Sequence, residues 1–285
     1  MKDTGCISST DTWRLIWSDP LPAADNMAVD QAIFEQVAAG LQPPTLRIYA
    51  WVPPGVSVGF FQSLDRGINL EAVARYGYGL VRRPTGGRAI IHHYEVTYSF
   101  CLPIAQVGAG SSVIASYRTI SRGVEAGLTL LGVPASIPGE RHATAKGRDL
   151  PTVCFAKAAG GDMLVEGRKI VGSAQMRRDG CILQHGSIPI RIDLAEHLDL
   201  LGAAGADSER EQAALRQAAV GVAEVLGRDV SFEELGEAVV RGFSEAFGKS
   251  LPSCELTQEE QARAAQLVET VYGTEEWNRT PGKRR

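Results

Sequence analysis

The stretch Arg82 to Phe100 reads RRPTGGRAIIHHYEVTYSF, and it decides how the rest of the chain is interpreted. Its paired glycines lie between apolar segments, 79–81 and 89–91, that are typical of β-strands. From 96 to 102, apolar residues alternate with shorter or polar ones, as in a half-buried strand. Paired glycines allow close backbone approach to a ligand, and the arginines offer charge to an anion or a carbonyl group. The stretch predicts a ligand-binding loop between strands, although an ordinary surface turn has the same composition.

Strand-like and helix-like segments alternate on either side of this stretch. The predicted strands lie at 13–17, 46–51 and 56–61, and the predicted helices at 23–40 and 111–131. Residues 162–192 favour hairpins, because Glu166-Gly167 and Asp179-Gly180 separate strand candidates. Three helices are expected near the C-terminus, at 209–227, 231–247 and 257–272. The prediction is an α/β (α+β) fold with a mixed sheet and C-terminal helices.

The domain boundaries follow from a change in composition after Asp193. Residues 13–193 are expected to form the core of the fold. Residues 194–285, rich in Ala, Glu, Gln and Leu, are expected to form a helical extension packed on the same domain. The basic tail from 279 to 285 is expected to be frayed.

Composition excludes several classes of protein. Residues of the apolar set make up 44% of the 285-residue chain and charged residues 22%, which is typical of a globular protein. The formal net charge of −4 argues against a dedicated nucleic-acid-binding protein. The N-terminal residues lack the apolar segment of a secretory signal, and no apolar run is long enough to span a bilayer. We therefore expect a cytoplasmic protein without a membrane segment.

A candidate nucleophile and a candidate cation follow in the middle of the chain. Cys154 precedes Lys169 by fifteen positions, and Lys169 lies in the segment EGRKIVGSAQMRRDG. A thiol near an ammonium group is stabilised as a thiolate, which is a competent nucleophile. Spacing alone leaves the alternative open that Cys154 is a small buried residue and Lys169 a solvated one.

Histidines supply the last candidates. His185 begins a His-Gly-Ser sequence within ILQHGSI, and a histidine in a strand is more often structural than catalytic. His92 and His93 are adjacent, so on a strand their side chains point to opposite faces. No Cys, Asp or Glu set at ligand spacing joins them, so we predict no metal site.

Taken in order, four segments resemble one family. RRPTGGRAIIHHYEVTYSF, the pair Cys154-Phe155, EGRKIVGSAQMRRDG and ILQHGSI are similar to the superfamily of lipoate-protein ligase A, octanoyltransferases and biotin ligases. The likeness is strongest to the cysteine-dependent octanoyltransferases and runs from about Trp13 to Asp193. Residues 26–30, NMAVD, fit the first helix of this family.

The resemblance implies a mixed-sheet fold and an acyl transfer without a cofactor. Octanoyl-acyl carrier protein would donate the acyl group to a lysine of a lipoyl domain, either the glycine cleavage H protein or a dehydrogenase E2 subunit. Cys154 would be the nucleophile, and Lys169 would bind the acyl carbonyl and assist proton transfer. The implied substrate-binding residues are Arg83, Thr85, Gly86, Gly87, His92, Gly172, Ser173, Ala174, His185, Gly186 and Ser187.

Three alternatives stay open. An ATP-dependent lipoate ligase would use the same glycine loop and lysine, but it needs no cysteine. An amidotransferase that moves acyl groups between lipoyl domains would also form a cysteine thioester. A non-catalytic module that binds lipoyl domains or carrier proteins is a third possibility. Residues 156–161, AKAAGG, depart from the octanoyltransferase pattern, so partner or acyl specificity could differ.

Basic residues cluster near these segments although the chain is acidic overall. The cluster contains Arg82, Arg83, Arg88, Lys146, Arg148, Arg168, Lys169, Arg177 and Arg178. Such a cluster predicts a basic rim that would steer acidic carrier proteins and lipoyl domains, unless the charges are plain solvated surface.

Overall fold

A mixed β-sheet forms the centre of the computed structural model, which describes residues 12–65, 67–108, 112–137, 162–201 and 208–283. The strands are β1 (Arg14–Trp17), β2 (Thr45–Tyr49), β3 (Gly55–Val58), β4 (Gly79–Arg82), β5 (Ile90–His92), β6 (Glu95–Pro103), β7 (Met163–Val165), β8 (Arg168–Arg178) and β9 (Cys181–Pro189). Six of them form one sheet in the order β1-β2-β6-β9-β8-β7, in which only β1 and β2 are parallel. A second, three-stranded sheet has the order β4-β3-β5.

The helices cover both faces of the large sheet. They are α1 (Ala23–Ala38), α2 (Leu70–Arg75), α3 (Val113–Leu130), α4 (Leu194–Leu201), α5 (Ser208–Ala218), α6 (Val222–Leu226), α7 (Phe232–Phe247), α8 (Gln258–Leu267) and α9 (Glu275–Arg279). A 3-10 turn spans Ile104–Val107, and a π-helical turn, Val268–Tyr272, extends α8. Capping fixes several helix starts: Ser112, Ser231 and Thr257 each accept a backbone N–H of the following turn.

The alternation along β6 divides the core into two layers. Val96, Tyr98 and Phe100 belong to the apolar cluster beneath α3 and α7, whereas Cys101 packs with α1 and α8. Because successive side chains of a strand point to opposite faces, one strand can serve two helical layers. The strand predicted from 96 to 102 is thereby confirmed, and it lies at the centre of the sheet.

The two hairpin turns form where the sequence predicted them. Glu166 and Gly167 have φ of 50° and 81°, and Asp179 and Gly180 have φ of 52° and 72°. Two consecutive residues with positive φ are typical of the mirror-image turns that match the twist of a hairpin. These turns fix the registers of β7 with β8 and of β8 with β9.

The single helix predicted at 209–227 is wrong, because the segment forms two helices, α5 and α6. Between them the chain is extended, and the Val220 N–H donates to the Lys169 carbonyl at 2.9 Å. Gly221 then passes so close to β9's end that a Cβ there would lie 2.6 Å from the Ile190 carbonyl oxygen. Pairing with the edge of β8 therefore overrides the helical propensity of the segment.

The C-terminal end is held more closely than the sequence predicted. The Trp277 indole N–H donates to the Arg82 carbonyl at 2.8 Å, and the Gly282 N–H donates to the Phe60 carbonyl at 2.7 Å. The Arg82 guanidinium, which is fully buried, donates to carbonyls of the 59–62 loop and of α9. Within the described residues, fraying does not begin at Arg279.

Candidate functional site

A pocket of about 290 Å³ opens between α1, the large sheet and the small sheet. Its lining residues are Met27, Tyr49, Trp51, Ser57, Arg83, Ile90, His92, Thr97, Gly172, Ala174, His185, Gly186 and Ser187. Seven residues that the sequence singled out are among them: Arg83, His92, Gly172, Ala174, His185, Gly186 and Ser187. The structure thus brings together three segments that are far apart in the sequence.

The glycine loop supports the pocket wall, and its glycines are not among the lining residues. The Arg83 guanidinium donates to the carbonyls of Gly86, at 2.8 Å, and Arg88, at 2.7 Å. Gly87 has φ of 95°, and a Cβ there would lie 2.7 Å from Arg83 Nη2. The loop folds around Arg83, which contributes to the pocket lining, and the role of Gly86 and Gly87 along an acyl tunnel stays a prediction.

Ser173 also lies away from the pocket. Its Oγ is 2.9 Å from the Tyr98 hydroxyl, on the face of the sheet covered by α3 and α7. Neighbouring Gly172 and Ala174 face the pocket because side chains alternate along β8. The expected substrate contact of Ser173 is thus replaced by a structural hydrogen bond.

Asp30, a fully buried residue of α1, is the centre of a hydrogen-bond network in the pocket wall. Arg47 Nη1 and Ser99 Oγ donate to Oδ1 at 2.9 and 2.7 Å. Tyr49 OH lies 2.9 Å and His185 Nδ1 3.3 Å from Oδ2. Burial would raise the pKa of this carboxyl, but the hydrogen bond to His185 and the charge of Arg47 outweigh burial and lower the pKa. Asp30 is therefore a buried carboxylate.

His185 connects this carboxylate to the glycine loop. Its Nε2 lies 2.6 Å from Thr85 Oγ1. Burial lowers the pKa of His185 despite the hydrogen bond to Asp30, so the ring is neutral at physiological pH. With the ring proton on Nδ1 directed at Asp30, Nε2 accepts the Thr85 hydroxyl. Thr85, although outside the pocket lining, thereby ties the loop to β9.

Glu95 is the centre of a second network on the other side of the pocket. Its carboxylate lies 2.7 Å from His92 Nδ1 and accepts hydrogen bonds from Thr97 and Ser187. His92 Nε2 in turn lies 2.7 Å from Ser57 Oγ. This chain of hydrogen bonds defines one tautomer of His92, with the proton on Nδ1.

Trp51 covers the second network. Its ring stacks on the His92 ring with centroids 3.8 Å apart, and its indole N–H donates to Thr97 Oγ1 at 2.8 Å. The polar atoms of Trp51, His92 and Thr97 are therefore hydrogen-bonded to other residues of the pocket wall. Ring faces and methyl groups are the parts that can contact a bound molecule. Such a lining suits an alkyl chain.

Lys169 lies on the pocket face of β8 because of an irregularity in the strand. The register shifts between Met163 and Leu164, and both Ile170 and Val171 pack into the core beneath α3 and α7. Under strict alternation, Lys169 and Gly172 would lie on opposite faces of β8. Because two successive residues between them, Ile170 and Val171, share one face, Lys169 lies on the same face as Gly172. Lys169 and Gly172 are three positions apart, at most about 10 Å along the strand.

The Lys169 ammonium forms a buried ion pair. Its Nζ lies 3.0 Å from Asp162 Oδ1, and the two side chains are 10% and 5% exposed. Lys169 is not among the pocket-lining residues of the described chain, whereas Gly172, three positions further along β8, is one of them. Cys154 and the divergent residues 156–161 lie outside the described residues.

The predicted basic rim is corrected in part. Arg82, Arg83 and Lys169 are buried and hydrogen-bonded within the protein, so they cannot belong to an exposed rim. Arg177 donates to the Ser112 carbonyl at the start of α3, at 2.8 Å. Arg178 is exposed but lies beside an acidic side chain of the adjacent turn. Arg88 is exposed, and Lys146 and Arg148 lie outside the described residues, so for these three the basic rim stays a prediction.

Sequence reasoning missed the two carboxylates that organise the wall, together with several of their partners: Asp30, Arg47, Tyr49, Trp51, Ser57, Glu95 and Thr97. A signal was present in the positions of Asp30 and Glu95. Asp30 occurs within an apolar stretch of α1, and Glu95 and Thr97 alternate with large apolar residues of a central strand. A buried charge at such a position requires partners, which marks it as part of a network.

Within the described ranges, His, Cys, Asp and Glu form no group of three or more that could hold a metal ion. No helix in the same ranges is both long and apolar enough to cross a membrane.

Comparison with known sequences identifies close relatives. Residues 22–244 match the model of the lipoyl protein ligase A/B catalytic domain. Octanoyltransferase LipM of Symbiobacterium thermophilum is 45% identical over 93% of this chain and 97% of its own. The proteins of the same name from Kyrpidia tusciae and Bacillus subtilis are 42% and 38% identical, each over 94% of this chain and 98% of their own.

Solved structures give the same assignment. A lipoate-protein ligase A bound with ATP superposes with a TM-score of 0.78 at 26% identity, covering 94% of this chain and 98% of the other. A Thermoplasma acidophilum protein described as a putative lipoate protein ligase with bound lipoic acid gives 0.76 at 25% identity, covering 94% and 99%. The α/β fold class and the resemblance carried by the four sequence segments are confirmed. This chain belongs to the lipoyl protein ligase A/B catalytic domain family.

Proposed function

We propose that this protein is an octanoyltransferase of lipoate biosynthesis, which moves an octanoyl group from acyl carrier protein to a lysine of a lipoyl domain. The observation that carries the proposal is similarity over nearly the whole chain to proteins named octanoyltransferase LipM, at 38 to 45% identity. Cys154 is the proposed nucleophile, and Lys169 the proposed cation at the acyl carbonyl.

The pocket supports an acyl substrate. Its two buried carboxylates, Asp30 and Glu95, are saturated by neighbouring donors, so an alkyl chain would leave no polar group of these networks unpaired. The Trp51 and His92 rings and the Met27 side chain supply apolar contact area. Lys169 lies three positions before the lining residue Gly172 on β8, and its ammonium is the proposed partner of the acyl carbonyl.

The proposed reaction has two acyl transfers. The Cys154 thiolate attacks the thioester carbonyl, and the carbonyl oxygen becomes an oxyanion. Collapse of this intermediate expels the thiolate of the carrier and leaves an octanoyl thioester on Cys154. The amine of the acceptor lysine then attacks that thioester, loses a proton and regenerates the cysteine. A thioester donor is already activated, so the proposal requires neither ATP nor a cofactor.

The proposed partners are octanoyl-acyl carrier protein and the lipoyl domains of the glycine cleavage H protein or of dehydrogenase E2 subunits. One solved relative is described as a bi-partite lipoate protein ligase with its E2 lipoyl domain, and it has a TM-score of 0.78 at 25% identity. The proposal also includes a cytoplasmic location.

Intact-protein mass spectrometry tests the proposal. After incubation with octanoyl-acyl carrier protein without ATP, we expect an octanoyl adduct that hydroxylamine removes and that Cys154→Ala abolishes. Cys181→Ala is the matched control, because Cys181 is a free, buried thiol whose pKa is raised by burial. This variant should acylate normally. Activity that requires ATP and a free acid would instead indicate a lipoate ligase, and acylation by an octanoylated lipoyl domain alone would indicate an amidotransferase.

A further inference from the structure

The ion pair between Lys169 and Asp162 is a second feature of the site that the sequence did not indicate. Asp162 directly precedes β7, and the β7–β8 hairpin returns the chain so that Nζ and Oδ1 lie 3.0 Å apart. The strand irregularity that directs Lys169 to the pocket face also directs it to Asp162. Removing two charges from water is costly, so a buried pair at this position needs a compensating role.

We propose that Asp162 is a positioning residue that holds Lys169 as a fixed ammonium group at the carbonyl end of the acyl pocket. This inference rests on the proposed function and specifies it: Lys169 acts as a hydrogen-bond donor to the acyl carbonyl, with its Nζ held in place by Asp162. Asp162 acts through Lys169 and does not itself touch the acyl group.

The chemistry of the pair supports a fixed hydrogen-bond donor. An ammonium has three N–H donors, so a bond to Asp162 is compatible with a further bond to a substrate oxygen. A lysine side chain has several freely rotating bonds, and an anchored Nζ loses that freedom before the substrate binds. Donors fixed in advance stabilise an oxyanion more than donors that must reorganise.

The proton balance of the transfer is consistent with this role. When the thiolate forms its bond to the carbonyl carbon, the carbonyl electron pair moves to oxygen, and the Lys169 N–H groups hydrogen-bond to that oxygen. When the electron pair on this oxygen re-forms the carbonyl double bond, the carbon–sulfur bond to the carrier breaks. The carrier leaves as a thiolate, which takes a proton from water. In this scheme Lys169 stabilises the oxyanion through hydrogen bonds.

The adjacent residue of β8 supplies a matched control. Arg168 Nη1 lies 2.5 Å from Glu224 Oε1, but these side chains are 25% and 61% exposed. This ion pair also joins a basic residue of β8 to a carboxylate, and its basic residue is adjacent to Lys169 in the sequence. Unlike the Lys169–Asp162 pair, it lies at the surface. Removing its carboxylate should have little effect on the reaction.

The experiment measures formation of the Cys154 acyl adduct from the octanoyl thioester of N-acetylcysteamine, by rapid quench and mass spectrometry. Asp162→Asn should lower the rate constant at saturation about 10- to 100-fold, with KM changed by less than about threefold. Asp162→Glu, which keeps the charge but displaces it by one methylene group, should give an intermediate rate. Glu224→Gln should react within about twofold of the unaltered protein.

Double substitution tests whether Asp162 acts through Lys169. Lys169→Met should be slow, and adding Asp162→Asn to it should lower the rate no further. A wild-type rate for Asp162→Asn, or fully additive effects in the double variant, would overturn the inference. If Asp162→Asn fails to fold by circular dichroism, Asp162→Glu decides alone: a lower rate at an unchanged melting temperature supports positioning, and a wild-type rate overturns it.

The outcome separates this inference from the proposed function. If Cys154→Ala and Lys169→Met acylate normally, the proposed function fails. If both are inactive while Asp162→Asn reacts normally, only the positioning role of Asp162 fails.

Discussion

Replacement of Asp30 by Asn should destabilise the protein more than any surface change, because four donors converge on its two carboxylate oxygens. Arg47 and Ser99 bond to Oδ1, and Tyr49 and His185 to Oδ2. Asparagine has a similar shape but only one acceptor oxygen, so its amide group would face two donors. It also leaves the Arg47 guanidinium, which is fully buried, without its anion.

The magnitude follows from the burial of the pair. Removing one partner of a buried ion pair costs about 3–5 kcal/mol in the free energy of unfolding. For a domain of this size, we expect the melting temperature to fall by on the order of 10 °C. Urea unfolding monitored by circular dichroism at pH 7 measures the change. Asp199→Asn is the control, because Asp199 forms a comparable ion pair with Arg75 at the surface. The control should unfold like the unaltered protein.

The pH dependence provides a second check. The pKa of Asp30 is lower in the folded protein than the ordinary value of 3.8, so the carboxylate contributes stability above about pH 4. This contribution is lost as the pH falls through the folded-state pKa, and the difference between Asp30→Asn and the unaltered protein should shrink there. A loss below about 1 kcal/mol at pH 7 would refute the assignment of Asp30 as the organising charge of the wall.

Four further outcomes are expected. The pKa of His185 is lowered from 6.5 by burial, so the stability that its neutral ring contributes above pH 6.5 should be lost progressively on acidification, and His185→Gln should flatten that part of the urea stability profile. Thr85→Val, which removes the hydroxyl bonded to His185, should raise KM for an octanoyl thioester several-fold, whereas Thr85→Ser should restore it; equal KM values would show that the hydrogen bond does not shape the pocket. Gly242→Ala should destabilise the contact between α3 and α7 by about 1–3 kcal/mol, since its Cβ would lie 2.1 Å from Gly127 N, and an unchanged melting temperature would contradict that close approach. Trp277→Ala should lower the free energy of unfolding by about 3 kcal/mol through loss of its ring packing and of its bond to the β4 backbone, and protection from hydrogen exchange in the 59–62 loop should fall with it.

The sequence by itself determined most of the local structure and the family. The alternation at 96–102, the two hairpin turns and the helix at 231–247 depend on interactions within a few residues, which composition and spacing record directly. The pocket residues Arg83, His92 and His185 were instead predicted from the resemblance of their segments to a known family. Neither the local pattern nor the resemblance indicated their side-chain partners.

Only the tertiary structure decided how the charged groups are used. Asp30 and His185 are 155 positions apart, and Thr85 and His185 are 100 apart, so their contacts depend on the pairing of β6 with β9 and on the packing of α1. The burial of Arg82 and Arg83 likewise depends on the C-terminal segment and the glycine loop that supply their carbonyl partners. Lys169 reaches the pocket face only because the β7–β8 register shifts by one residue. Long-range pairing and register set which side chains meet, and no local property of the sequence contains that information.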